Sequence, residues 1–71
     1  MADERASTLG ETRVRTVFNP SANSDVDRIK QETASLIDFC GKFKEKDPRL
    51  VALAQTAYEE AAMWAVKAAT A

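Results

Sequence analysis

At 71 residues and a net charge of −1, the chain has room for one small domain and lacks the basic excess of a general nucleic-acid binder. A single cysteine excludes an intrachain disulfide, and the absence of histidine removes the commonest metal ligand and general base. Small scaffolds without such staples recruit a partner chain, so a homo-oligomer is expected. No apolar run is long enough to span a membrane, and the polar start shows no secretory signal. With a lone thiol, this suits a reducing cytosol.

Residues 1–12 are polar and charged and are expected to form a flexible or partly helical N-terminus, followed by a single helical-hairpin domain over 13–71. Residues 13–18 (RVRTVF) read as extended, because Val14 and Val17 are β-branched and charged and apolar residues nearly alternate. Asn19-Pro20 marks a break. A first long helix is predicted from Ser24 as N-cap, with Asp25 and Asp27 complementing the helix dipole. Val26, Ile29, Thr33, Leu36, Cys40 and Phe43 form its apolar stripe, which Ile37 broadens. Gly41 weakens the helix, and Lys42, Lys44 and Lys46 suit its C-terminal end.

Asp47-Pro48 starts a second long helix, predicted over 48–68, by the pairing of an acidic cap with proline at the first helical position. Leu50, Leu53, Ala54, Ala57, Ala61, Trp64, Ala65 and Ala68 make one face. Val51, Tyr58, Ala62 and Val66 widen it beyond what a single partner helix covers. The expected fold is all-α: a short extended or helical segment, then two long antiparallel helices. Trp64 and Tyr58 cannot both be sheltered by one amphipathic partner, which again points to a compact homo-oligomer with ligand sites between protomers.

The chemistry-bearing residues argue against catalysis. Cys40 lies in the apolar stripe with no histidine to activate it and reads as a buried inert thiol. Glu59 and Glu60 are adjacent on a helix and do not face each other, so they read as a solvated face or as partners of Lys67 or Arg28. No metal site, cofactor or enzyme signature is expected. Met63 and Lys67 are either incidental surface groups or part of an interface or ligand site. Around residues 16–30, Phe18 either staples the hairpin or offers a stacking face. Asn19 has the donor and acceptor needed to read a base edge. The helix start near Ser24 is a natural phosphate site, with Arg13, Arg15, Arg28 and Lys30 as nearby cations.

The pattern FNPS…VDRIK…LID, followed by LAQTAYEEAAMWAVKAAT, resembles the phage anti-CBASS protein two family over about residues 13 to 70. That resemblance implies a small helical protein that assembles into compact hexamers. It also implies a sponge for cyclic dinucleotides, and for cyclic trinucleotides at separate sites, that degrades neither. Such a protein acts in the cytoplasm of the infected host and starves CBASS immunity of its messenger. By the same resemblance Phe18 stands where the family places a base-stacking aromatic, often tyrosine, and Asn19 and Pro20 complete the aromatic-Asn-Pro pattern. Lys30 matches the family lysine that contacts phosphates, and Lys67 and Thr70 are candidates for the trinucleotide site. The alternative is an oligomeric helical-hairpin module that binds a host protein. A DNA or RNA polymer is not an expected partner, given the acidic balance of the chain.

Overall fold

The structure is a computed structural model that describes residues 7–20 and 22–71. It contains helix α1 (Leu9–Val14), helix α2 (Ser24–Cys40), a 3-10 turn (Gly41–Phe43) and helix α3 (Pro48–Ala69), with no strand among the described residues. α2 and α3 form the hairpin. Val26 and Val66 share a hollow at one end of it, while Cys40 and Val51 share another at the other end, so the helices run antiparallel.

The end of α1 and the turn after it replace the extended segment expected over 13–18. Its start is a capping box: the Glu11 amide donates to Thr8 Oγ1 at 3.1 Å, and the Thr8 amide donates to Glu11 Oε1 at 3.0 Å. Those paired caps outweigh the β-branched bias, and Arg13 and Val14 complete the helix instead of a strand. Val14 is buried in the core. The flexibility expected of residues 1–6 lies outside the described residues.

α2 is capped by Asn23 and not by Ser24, its first residue. The Asn23 side-chain oxygen accepts from the amides of Asp25 at 2.8 Å and Val26 at 3.1 Å. Its buried face is Val26, Lys30, Ala34 and Ile37, so the predicted stripe is rotated, and Leu36 is left 42% exposed. The cause is α1, which crosses α2 at a point that admits only small residues. A Cβ at Gly10 would lie 2.1 Å from the Ala34 carbonyl oxygen, and the Gly10 amide donates to Asp38 Oδ1 at 2.7 Å. The face nearest α1 and α3 is therefore the buried one.

α3 starts on Asp47, whose Oδ1 accepts from the Leu50 amide at 3.0 Å, with Pro48 in the first turn. Its inner face is Val51, Gln55 and Ala62, with Tyr58 partly buried. Gln55, a buried polar residue that the apolar pattern overlooks, donates from Nε2 to the Ile37 carbonyl at 2.9 Å and so ties α3 to α2. Val14, Ala34, Ile37 and Ala62 form the central cluster, against which Ile29 and Tyr58 pack.

Candidate functional site

The turn that leaves α1 carries the site. Arg15 ends the helix in the left-handed region at φ 59°, and its carbonyl accepts from the Phe18 amide at 2.9 Å. This reverses the chain and leaves Phe18 53% exposed. Lys30 reaches up from α2 beneath the turn. Its Nζ donates to the Arg15 carbonyl at 3.0 Å and, through a short hydrogen bond, to the Phe18 carbonyl. Burial first, and then the positive charge of Arg15, hold this amine below the usual lysine value. Both cations attend the ring: Arg15 Cζ lies 4.6 Å from its centroid and Lys30 Nζ 5.3 Å.

The next residues close the loop into α2. The Asn19 Nδ2 donates to the Asn23 carbonyl at 2.9 Å, and its Oδ1 accepts from the Asn23 amide at 3.1 Å. The amide expected to face a base edge is therefore engaged in shaping the loop, with one donor hydrogen and one lone pair left over. The helix start is also less open than expected. Asn23 occupies the amides of Asp25 and Val26, and Asp25 and Asp27 add negative charge there.

Phe18 and Lys30 together line a larger hollow of about 330 Å³ and a smaller one of about 150 Å³. The larger is completed by Arg13, Val14 and Arg15 from the first segment and by Glu59, Ala62, Met63 and Val66 from α3. Arg13 Nη1 lies 3.6 Å from Glu59 Oε1 across its rim. The smaller hollow brings Asn19, Pro20 and Val26 together with Val66 and Thr70. Thr70 thus sits beside the Phe18 turn, although its hydroxyl donates to the Val66 carbonyl at 2.9 Å. Lys67 lines neither hollow, and its Nζ instead lies 5.6 Å from the centroid of the Trp64 ring. Arg28 is also outside both, paired with Glu32 at 2.7 Å. Cys40 is only half-buried and lines the hollow at the turn end of the hairpin.

On the α3 side, Met63 and Thr70 were among the candidates, while Glu59, Ala62 and Val66 were missed. Glu59, Ala62, Met63, Val66 and Thr70 recur at helical spacing and share one face, a signal present in the sequence. Nothing in that spacing says which face meets Phe18. The assembled surface offers an exposed aromatic ring, an apolar wall and convergent cations. It suits a flat ring bearing negative charge.

Fold and candidate site together define a small helical-hairpin protein. The model of the family described as Acb2/Tad1, hairpin domain, matches residues 10–70, and the chain belongs to that family, the anti-CBASS protein two family. It is a family of binding proteins and not a known enzyme family. No curated protein and no solved structure matches the chain. Among the described residues, no helix is long and apolar enough to cross a membrane.

Proposed function

We propose that this protein is a phage antagonist of bacterial CBASS immunity that binds cyclic dinucleotides in the cytoplasm of the infected host and holds them without cleavage. The observation that carries this reading is the exposed Phe18 ring flanked by Arg15 and Lys30, on a chain of the Acb2/Tad1 family. A nucleobase stacks on Phe18, for a gain of about 1–3 kcal/mol per base, and the phosphates turn toward the cations. Asn19 and Pro20 set the shape of the loop that presents the ring. Two protomers each contribute Phe18, Asn19 and Lys30 to one cleft, which matches the two-fold character of the ligand. The assembly is a compact homo-oligomer, a hexamer by family likeness, and it leaves a second site for cyclic trinucleotides with Lys67 and Thr70 as its candidates.

Sequestration requires slow release and many sites, with no turnover. The test is to saturate the protein with cyclic dinucleotide, remove free ligand, denature the complex and analyse what is released. Intact cyclic ligand is expected. A linear product would contradict the non-enzymatic reading, and no retained ligand would contradict binding itself.

A second reading has its own observation. Leu50 and Leu53 are each 55% exposed and Trp64 61% exposed, an apolar face that a host protein would also fit. Under that reading Phe18→Ala leaves the interaction intact; under the sponge reading it removes ligand retention.

A further inference from the structure

We propose that Glu59 reads the edge of the base stacked on Phe18, and that its carboxylate makes the site favour guanine. The inference rests on the cyclic-dinucleotide reading above and adds a specificity-determining residue to it. The larger hollow is lined by three cations, Arg13, Arg15 and Lys30, and by one carboxylate, Glu59. A carboxylate repels the phosphates of a dinucleotide, so in a site for an anion it is unfavourable unless it meets a different part of the ligand.

The layout of the hollow separates those parts. Arg15 and Lys30 stand at the Phe18 ring, 4.6 Å and 5.3 Å from its centroid. Glu59 stands on the α3 wall with Ala62, Met63 and Val66. The Watson–Crick edge of a purine lies on the side opposite its sugar. With the phosphates drawn to Lys30 and Arg15, that edge is directed toward α3. There Glu59 is the one strong hydrogen-bonding side chain that the wall contributes.

The carboxylate is also available. Arg13 Nη1 lies 3.6 Å from its Oε1, which is longer than a hydrogen bond, and among the described residues the Glu59 side chain accepts none. Arg13 thus offsets the charge without occupying the acceptor sites. The two side chains are 31% and 36% exposed, so a ligand can reach them. An ionised carboxylate accepts two parallel N–H bonds. Guanine presents such a pair, N1–H beside its 2-amino group. Adenine presents one donor beside an acceptor nitrogen that a carboxylate oxygen repels, and hypoxanthine presents N1–H alone. Charge-assisted bonds of this kind are the strong ones, and a site built around them discriminates against a base that lacks a donor.

The test titrates the full chain by calorimetry with cyclic GMP-AMP and cyclic IMP-AMP, which differ only in the 2-amino group of one base, for wild type and Glu59→Gln. Wild type is expected to bind cyclic GMP-AMP about tenfold more tightly. Glutamine keeps the length and one acceptor but sets a donor against the second guanine N–H. The preference is therefore expected to shrink to about twofold or less, chiefly through weaker binding of cyclic GMP-AMP. The melting temperature is expected to stay unchanged, since an ion pair this open to water contributes little. Equal wild-type affinity for the two ligands, or a preference that Glu59→Gln leaves at its wild-type value, overturns this inference and leaves the sponge reading standing. Failure of the wild type to bind either ligand removes both. The wild-type comparison needs no variant, so it decides the matter even if Glu59→Gln does not fold.

Discussion

Two carbonyls at the end of α1 depend on one ammonium. The Arg15 and Phe18 carbonyls both accept from Lys30, which reaches them on its aliphatic stem from the buried α2 face that also carries Val26 and Ala34. Replacing Lys30 by methionine keeps that stem and removes the donors. The Arg15 carbonyl keeps the Phe18 amide, but the Phe18 carbonyl loses this donor at a cost toward the low end of about 1–3 kcal/mol, so Lys30→Met is expected to lower the melting temperature by about 4–8 °C per kcal/mol lost. Thermal unfolding followed by circular dichroism measures this, and an unchanged transition would show that the turn holds itself. Lys30→Glu is expected to be worse, because it sets a carboxylate against those same carbonyls. Loss of ligand binding in that variant would therefore report the turn as much as the phosphate. Lys30 also illustrates the limit of sequence reading at this scale: a lysine after Ile29 looks like a surface cation, and only the packed turn above it makes it a buried tether.

At the level of elements, α1 is fixed to α2 by the contact at Gly10. A methyl group there would meet the Ala34 backbone at 2.1 Å, and a backbone atom cannot yield as a flexible side chain would. Gly10→Ala is therefore expected to lever α1 away from α2 and cost about 1–3 kcal/mol or more, read as a lower unfolding midpoint in urea. Because α1 ends in the Arg15–Phe18 turn, ligand affinity should fall with it. A stable, fully binding Gly10→Ala variant would mean that α1 does not position the site. The long helices were legible from their spacing, from Asp47-Pro48 and from the break at Asn19-Pro20. The short one was legible only as one of two alternatives, extended or helical. Its Thr8–Glu11 capping box lies in a polar stretch with no apolar period to announce a helix. The α2 stripe was misaimed by one step, since apolar spacing marks a band of residues, and the close crossing at Ala34 selects the face within that band. For the candidate site, Phe18 and Lys30 were singled out by pattern and by resemblance, and the structure brings them together. The α3 wall of Glu59, Met63 and Val66 required the antiparallel register, which no local signal encodes.

The whole molecule is thin, with Cα extents of 39 × 34 × 12 Å. The Cα cylinder of one helix is about 4.6 Å across, so a 12 Å spread holds α1 against the hairpin and no further layer. One face of α3 is left uncovered: Leu50, Leu53 and Trp64 follow helical spacing and are more than half exposed, while Val51, Gln55 and Ala62 are buried on the other side. Burying such a face against other copies is the expected remedy for a chain of this size. Trp64→Glu is expected to shift sedimentation from a compact assembly toward single chains. A wild type that sediments as a monomer would contradict the oligomer.

The most direct test of ligand binding at this surface is calorimetric titration of wild type and Phe18→Ala with cyclic dinucleotides, with melting temperatures measured alongside. Phe18 is 53% exposed and outside the central cluster, so loss of its ring should scarcely move stability. Saturable wild-type binding that weakens by about tenfold or more in Phe18→Ala is the expected result. Equal affinity in both proteins, or no binding by the wild type at micromolar concentration, would contradict the assignment of Phe18 as the stacking platform.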